Sequence, residues 1–187
     1  MRASPELVTS ILAGPPALGR TRLVAIDGPS GSGKSTFAAR LAATLRPATA
    51  PVTTIHLDDL LDGWDDLPTM WPRVTTWLLD PIARGEPGRY QSYDWLNARF
   101  APTWHEVPPG GVLILEGVSS ARRAARPFLT AAVFVDAPAD VRLARAVARD
   151  GEHLRPELLR WAAAEEEHFT TEGTRAYIEA HGTLITT

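Results

Sequence analysis

The stretch Gly28-Pro29-Ser30-Gly31-Ser32-Gly33-Lys34-Ser35-Thr36 constrains this chain more than any other. It fits G-x-x-x-x-G-K-S/T, the phosphate-binding loop. Gly28, Gly31 and Gly33 allow backbone conformations that a Cβ hinders, and they let the main chain come close to a ligand. The loop's N–H groups then turn inward as an anion-binding nest. The helix that starts at Lys34 adds the positive end of its dipole. Lys34 is expected to reach the β- and γ-phosphates of a bound nucleotide, and the Ser35 hydroxyl to ligate Mg2+. Lys34 is also the sole lysine among 19 basic residues, retained where a phosphate needs one.

The flanks agree with the motif. Arg22-Leu23-Val24-Ala25-Ile26-Asp27 is a short apolar, β-branched run that reads as a buried strand. After the loop, Phe37, Leu41 and Leu45 recur at helical spacing on one face. Strand, loop, helix is the arrangement that a phosphate loop requires.

Composition sets the bounds. A chain of 187 residues can bury a sizeable core and is read as one domain over 1–187, with an N-terminal helix and linker over 1–19. A net charge of −3 gives no nucleic-acid footprint. Cysteine is absent, so disulfides and thiolate metal sites are excluded, which fits a reducing cytoplasm. No stretch has the length of a membrane span. Glu6, Thr9 and Ser10 interrupt any signal-peptide core near the start.

Ser4 is placed to cap a first amphipathic helix that begins at Pro5. Further strands are expected over 52–57, 112–117, 131–136 and 182–187. Helices are expected over 69–84, 119–126, 139–150 and 156–170, with a short lid at about 150–156. The strand over 52–57 runs into Asp58. Ligands of open parallel sheets bind beyond the carboxyl ends of strands, so Asp58 is the candidate general base and a candidate metal ligand. The strand over 112–117 ends in Glu116, beside the phosphate loop, where a carboxylate can hold Mg2+ through water. Arg142, Arg145 and Arg149 share a helix face and can offset charge on a transferring phosphoryl group. Five of the six tryptophans fall between 64 and 104. Trp64 and Trp95 are candidates to line a substrate pocket, whereas Trp71 and Trp77 read as packing residues. Arg122, Arg123 and Arg126 read as surface charge, Glu165-Glu166-Glu167 as a solvated face, and His168 as structural.

The alternation of strands and helices argues for a mostly parallel five-stranded sheet covered on both faces, an α/β three-layer sandwich. In this order the chain resembles the uridine kinase-like family of P-loop kinases, which is related to pantothenate kinase and phosphoribulokinase. The matching pieces are the phosphate loop, Asp58-Asp59-Leu60, Tyr93-Asp94-Trp95, Leu115-Glu116-Gly117-Val118, and the run from Val135 to Arg145. The resemblance implies a P-loop NTPase fold and transfer of a phosphoryl group from ATP, with Mg2+, to a substrate hydroxyl. It implies that Asp58 takes the hydroxyl proton, Glu116 lies near Mg2+, Asp65 holds ribose hydroxyls and Tyr93 contacts the base. It also implies that Arg142 and Arg145 contact phosphates; Arg149, on the same helix face, is a nucleotide-binding candidate by its spacing alone. The family carries a histidine shortly after the Tyr-Asp pair, and Leu96-Asn97-Ala98-Arg99 has none. The lid is also shorter. The expected partner is therefore a small-molecule acceptor, nucleoside-like or another hydroxyl compound such as a pantothenate-like molecule, a sugar or a nucleotide. Neither nucleic acid nor membrane is expected, and a homo-oligomer stays open. A regulatory ATPase is the alternative of a different class. A GTPase-type switch is excluded, because N-K-x-D needs a second lysine.

Overall fold

Strand β1 (Arg22–Asp27) owes its place to its composition. Its residues from Leu23 to Asp27 are all buried, and a strand apolar on both faces needs cover on both. In the computed structural model, which describes residues 3–187, β1 is the middle strand of a five-stranded parallel sheet. The other members are β2 (Val52–His56), β7 (Val112–Glu116), β8 (Leu129–Asp136) and β9 (Thr183–Thr186), in the order β2-β7-β1-β8-β9. Ile26 and His56 both pair with Glu116, and Asp27 pairs with Phe134. The carboxyl ends of four strands thus meet along one edge.

The period of two along each strand sends side chains into two cores. Val24, Ile26, Ile114, Val133 and Val135 pack beneath helices α1 (Pro5–Ala13) and α2 (Lys34–Leu45), through Leu7, Ile11, Phe37 and Leu41. Leu23, Ala25, Leu113, Leu115 and Phe134 face the opposite layer. That layer contains α3 (Trp71–Val74), α4 (Asp80–Ala83), α6 (Arg155–Glu172) and α7 (Thr174–His181). Helix α5 (Ala139–Asp150) spans the length expected of it, between Pro138 and Gly151. The Ser4 side chain caps α1 by accepting from the Leu7 N–H at 3.2 Å.

Three local expectations are corrected. The helix expected over 69–84 starts at Trp71 and passes through a π-helical turn, Thr75–Leu79, before α4. Pro81 has no N–H and its ring crowds the carbonyl four residues back, so the wider turn accommodates it. The segment 119–126 is not a helix. Ser119 has φ +82, and the N–H groups of Ser119 and Ala121 donate to the Asp27 carboxylate. With those donors taken, the run ends in a 3-10 turn at Arg126–Phe128. The strand over 52–57 stops at His56, and Leu57–Leu60 is a 3-10 turn. The region between α4 and β7 folds as two small antiparallel pairs: β3 (Gly88–Tyr90) with β6 (His105–Val107), and β4 (Tyr93–Asp94) with β5 (Arg99–Phe100).

Candidate active site

The phosphate loop crosses from β1 to α2 through a space only glycine can fill. Gly28 has φ +132, and a Cβ there would lie 2.0 Å from the Val135 carbonyl oxygen. Gly31 has φ +74, and its Cβ would lie 2.2 Å from the Arg142 carbonyl oxygen. The loop is therefore wedged between the end of β8 and the start of α5. Lys34, in the first turn of α2, is buried, and its Nζ donates to the Pro29 carbonyl at 3.0 Å. The ammonium thus lies folded over the loop.

Beneath the loop, Asp27 is fully buried and accepts from the N–H groups of Gly28 (2.8 Å), Ser119 (3.1 Å) and Ala121 (2.8 Å). Burial pushes its carboxyl up to about 6, against the pull of these donors and of Lys34.

Glu116, at the tip of β7, bridges two groups. The Ser35 hydroxyl donates to its Oε1 at 3.2 Å, and His56 Nδ1 lies 2.5 Å from its Oε2. That contact, more than anything else, raises the His56 imidazole pKa. Asp58 follows β2 and is open to the cleft, yet protein encloses it from below. The resulting loss of hydration raises its carboxyl, Lys34 pulls it back and the Glu116 charge adds to the rise. No hydrogen bond or ion pair engages Asp58 among the described residues, which leaves its oxygens available.

Asp58 and Ser30 line a cleft of about 330 Å3 with Trp64, Trp95, Trp161 and Arg149. The tryptophans meet edge-on: Trp64 lies 5.2 Å from Trp95 and 6.0 Å from Trp161. Arg149 reaches this cleft while paired through Nε and Nη2 with Asp150 at 2.6 and 2.7 Å. Leu154, from the segment expected to be a lid, closes one side.

The remaining expected site residues make the following contacts within the fold. Arg142 donates to the Ala137 carbonyl at 2.9 Å and lies 3.8 Å from Asp136. Arg145 donates to the Gly31 carbonyl (3.3 Å) and to Thr187 Oγ1 (2.9 Å). Asp65 lines a neighbouring groove with Arg122 and His168, on the other side of Trp64 from Asp58. Tyr93 is buried and packs edge-on beneath Trp95 and Phe100, at 5.1 and 5.3 Å. Ser30 has both its donors on Glu165. Ser32 is buried and Thr36 is exposed at the start of α2.

Two surface readings are corrected. Glu165 is 1% exposed, because the turn of α6 that carries it faces the phosphate loop. Arg122 is mostly buried, paired with Glu172 at 3.3 Å and stacked 5.3 Å over Trp71. Sequence reasoning also missed His56 and Trp161 as members of the site. Leu158, Trp161, Glu165 and Phe169 are the buried positions of α6. They fall at i, i+3, i+7 and i+11, so Glu165 continues an apolar stripe. That spacing is the signal that could have found it.

The donor set suits the ligands expected. Among the described residues, no group of three or more His, Cys, Asp or Glu side chains could hold a metal ion alone. Mg2+ does not require one, since it keeps water and binds through one or two carboxylates plus phosphate oxygens. Ser35, Glu116 and Asp58 offer oxygen donors of that kind. The cradle at Gly28 and Gly31, with Lys34 beside it, suits a polyphosphate.

The fold is that of the P-loop kinases. A possible uridine kinase from Bacillus stearothermophilus superposes with a TM-score of 0.70 and 23% identity, over 96% of this chain and 95% of that one. A candidate fructose transport system kinase from Silicibacter sp. TM1040 superposes with a TM-score of 0.55 and 23% identity, over 97% of both chains. The chain's structural neighbours are thus uridine kinase-like and related P-loop kinases. No family model matches the chain. Over 138 residues the chain is 32% identical to Inorganic pyrophosphatase TTM1 of Arabidopsis thaliana and 29% identical to Inorganic pyrophosphatase TTM2 of the same plant. The match takes in 68% of this chain, which spans about a fifth of the length of those curated relatives (20%). No helix among the described residues is long and apolar enough to cross a membrane.

Proposed function

We propose that this protein is an ATP-dependent small-molecule kinase that phosphorylates a hydroxyl group of an acceptor bound in the tryptophan-lined cleft. One observation carries the reading. Asp58, a carboxylate with no partner among the described residues, shares a single cleft with Ser30 of the phosphate loop. A proton acceptor and a phosphate cradle that open onto one space are what hydroxyl-to-phosphate transfer needs. Bound ATP with Mg2+ supplies the phosphoryl group and neutralises its charge. Lys34 exchanges the Pro29 carbonyl for phosphate oxygens. Ser35 and Glu116 would hold the Mg2+, directly or through water. Asp58 orients the acceptor hydroxyl and takes its proton as the oxygen–phosphorus bond forms and ADP leaves. Arg149 faces the same space and offsets the charge of Asp58 and Glu116.

For the acceptor we propose a nucleoside, whose base and sugar suit aromatic walls with a carboxylate at one end. A carbohydrate acceptor is the second reading. It is favoured by three tryptophans edge-on around the cleft and by the absence of a histidine in Leu96-Asn97-Ala98-Arg99. The test is ADP release from Mg·ATP with uridine, cytidine, other nucleosides, nucleoside monophosphates, pantothenate and simple sugars. An added arm follows phosphate release from inorganic pyrophosphate, the activity in the names of the plant relatives. Acceptor-dependent ADP release is expected, and uridine or cytidine supports the nucleoside reading. ATP hydrolysis indifferent to every acceptor would favour a regulatory ATPase and overturn the kinase.

A further inference from the structure

Helix α6 brings a carboxylate to the phosphate loop, and the proposed transfer reaction leaves that carboxylate without a role. Glu165 Oε1 accepts three hydrogen bonds: from the Ser30 N–H at 2.9 Å, from the Ser30 hydroxyl at 2.6 Å and from Trp161 Nε1 at 2.5 Å. Trp161 Nε1 also lies 3.0 Å from Ser30 Oγ. Glu165 Oε2 has no partner among the described residues. Burial pushes the carboxyl up, opposed by Lys34 and by its own donors. A carboxylate is an expensive way to seat a helix on a loop, because an apolar side chain would fill the same space without desolvating a charge. Its placement is explained by what it joins. Ser30 belongs to the phosphate loop and Trp161 is a wall of the cleft. Glu165 uses both donors of the first and the only side-chain donor of the second.

We infer that Glu165 is a positioning residue, acting through Ser30 and Trp161 to lock the phosphate loop to the tryptophan wall of the acceptor cleft. The inference rests on the kinase reading in taking a nucleotide as the ligand of the loop. A loop and a wall tied by one carboxylate move together, so an event at the phosphates is felt by the indole.

The test uses the full chain, titrated with Mg·ADP by calorimetry and by tryptophan emission, with the part due to Trp161 identified by its loss in Trp161→Phe. Glu165→Ala is expected to weaken Mg·ADP binding about tenfold and to abolish the Trp161 response. Glu165→Gln keeps an accepting oxygen and is expected to retain both. Ser30→Ala removes the hydroxyl's bond to Glu165 and its contact with Trp161, leaves the other two bonds to Glu165, and is expected to weaken binding by about threefold. If the alanine variant of Glu165 does not fold, the last two variants decide. Wild-type affinity and emission response in folded Glu165→Ala, or in Ser30→Ala, overturn the inference. A glutamine variant as impaired as the alanine one overturns it too, since charge alone would then be responsible. Nucleotide binding that leaves Trp161 emission unchanged also overturns it. A wild-type chain that binds no nucleotide overturns the kinase reading as well, so the two failures are distinct.

Discussion

The Ser35 hydroxyl donates to Glu116 Oε1 across 3.2 Å, joining the second residue of α2 to the last residue of β7. The two elements are adjacent only because β7 lies beside β1 in the sheet. Glu116→Gln preserves an acceptor for Ser35 but removes the charge. It is expected to raise the Mg2+ concentration for half-maximal ADP formation by about tenfold. A Mg2+ titration checks this, and an unchanged midpoint would detach Glu116 from the metal.

Asp58→Asn is expected to lower turnover by about a hundred- to ten-thousandfold. Mg·ATP affinity should stay within about threefold of wild type, since the variant changes proton transfer and not the loop. Steady-state kinetics with equilibrium binding separates the two. Near-wild-type turnover would remove Asp58 from the role of base.

Gly31→Ala and Gly85→Ala form an informative pair. Both glycines have positive φ, +74 and +81. The Gly31 methyl would meet the backbone of Arg142, whereas nothing lies within 4 Å of the Gly85 position. Gly85→Ala is expected to cost about 1–2 kcal/mol, the strain of the left-handed conformation alone. Gly31→Ala must in addition displace α5 or the loop, so it should be less stable and lose nucleotide binding. Thermal melting and nucleotide titration of both variants test this.

Asp27 and His168 pull the pH dependence of stability in opposite directions. Asp27 titrates near 3.8 when unfolded and is pushed up to about 6 in the fold. Its contribution is fully present below about pH 4 and is lost as pH rises through about 6. His168 is driven down to about 4, by burial and by Arg122. Its contribution is present above about pH 6.5 and is lost as pH falls through about 4. Denaturant melts from pH 4 to 7 should therefore show Asp27→Asn losing least, relative to wild type, at the neutral end. His168→Phe should gain relative to wild type as pH falls. Parallel curves for either variant would contradict the corresponding shift.

The features legible in the sequence are those written in short windows. Pro138 and Gly151 punctuate α5, and its observed limits agree with those expected. The glycines and the lone lysine of the phosphate loop mark the turn from β1 to α2. The arginines of α5 show where such reading stops. Spacing places Arg142, Arg145 and Arg149 on one face, but the face runs about 10 Å along the helix. Long side chains then reach three environments: the end of β8, the loop carbonyl of Gly31, and the cleft. Glu165 failed to stand out for another reason. It sits among three consecutive acids, and a rotation of about 100° per residue lets only one of them point inward. Which one depends on how α6 lies on the loop, a tertiary fact.

Strand β7 is the common neighbour of β1 and β2, and neither has another partner among the strands before it. Between Asp27 and Val112 the ribosome adds 84 residues, which takes about 4–17 s at 5–20 residues per second. Throughout that interval the apolar run of β1 exists without a sheet to join. The glycine loop that follows it cannot yet be shaped by β8 or α5. The phosphate loop is therefore made before the strands and helix that shape it, and it can take its binding form only once β7, β8 and α5 have followed.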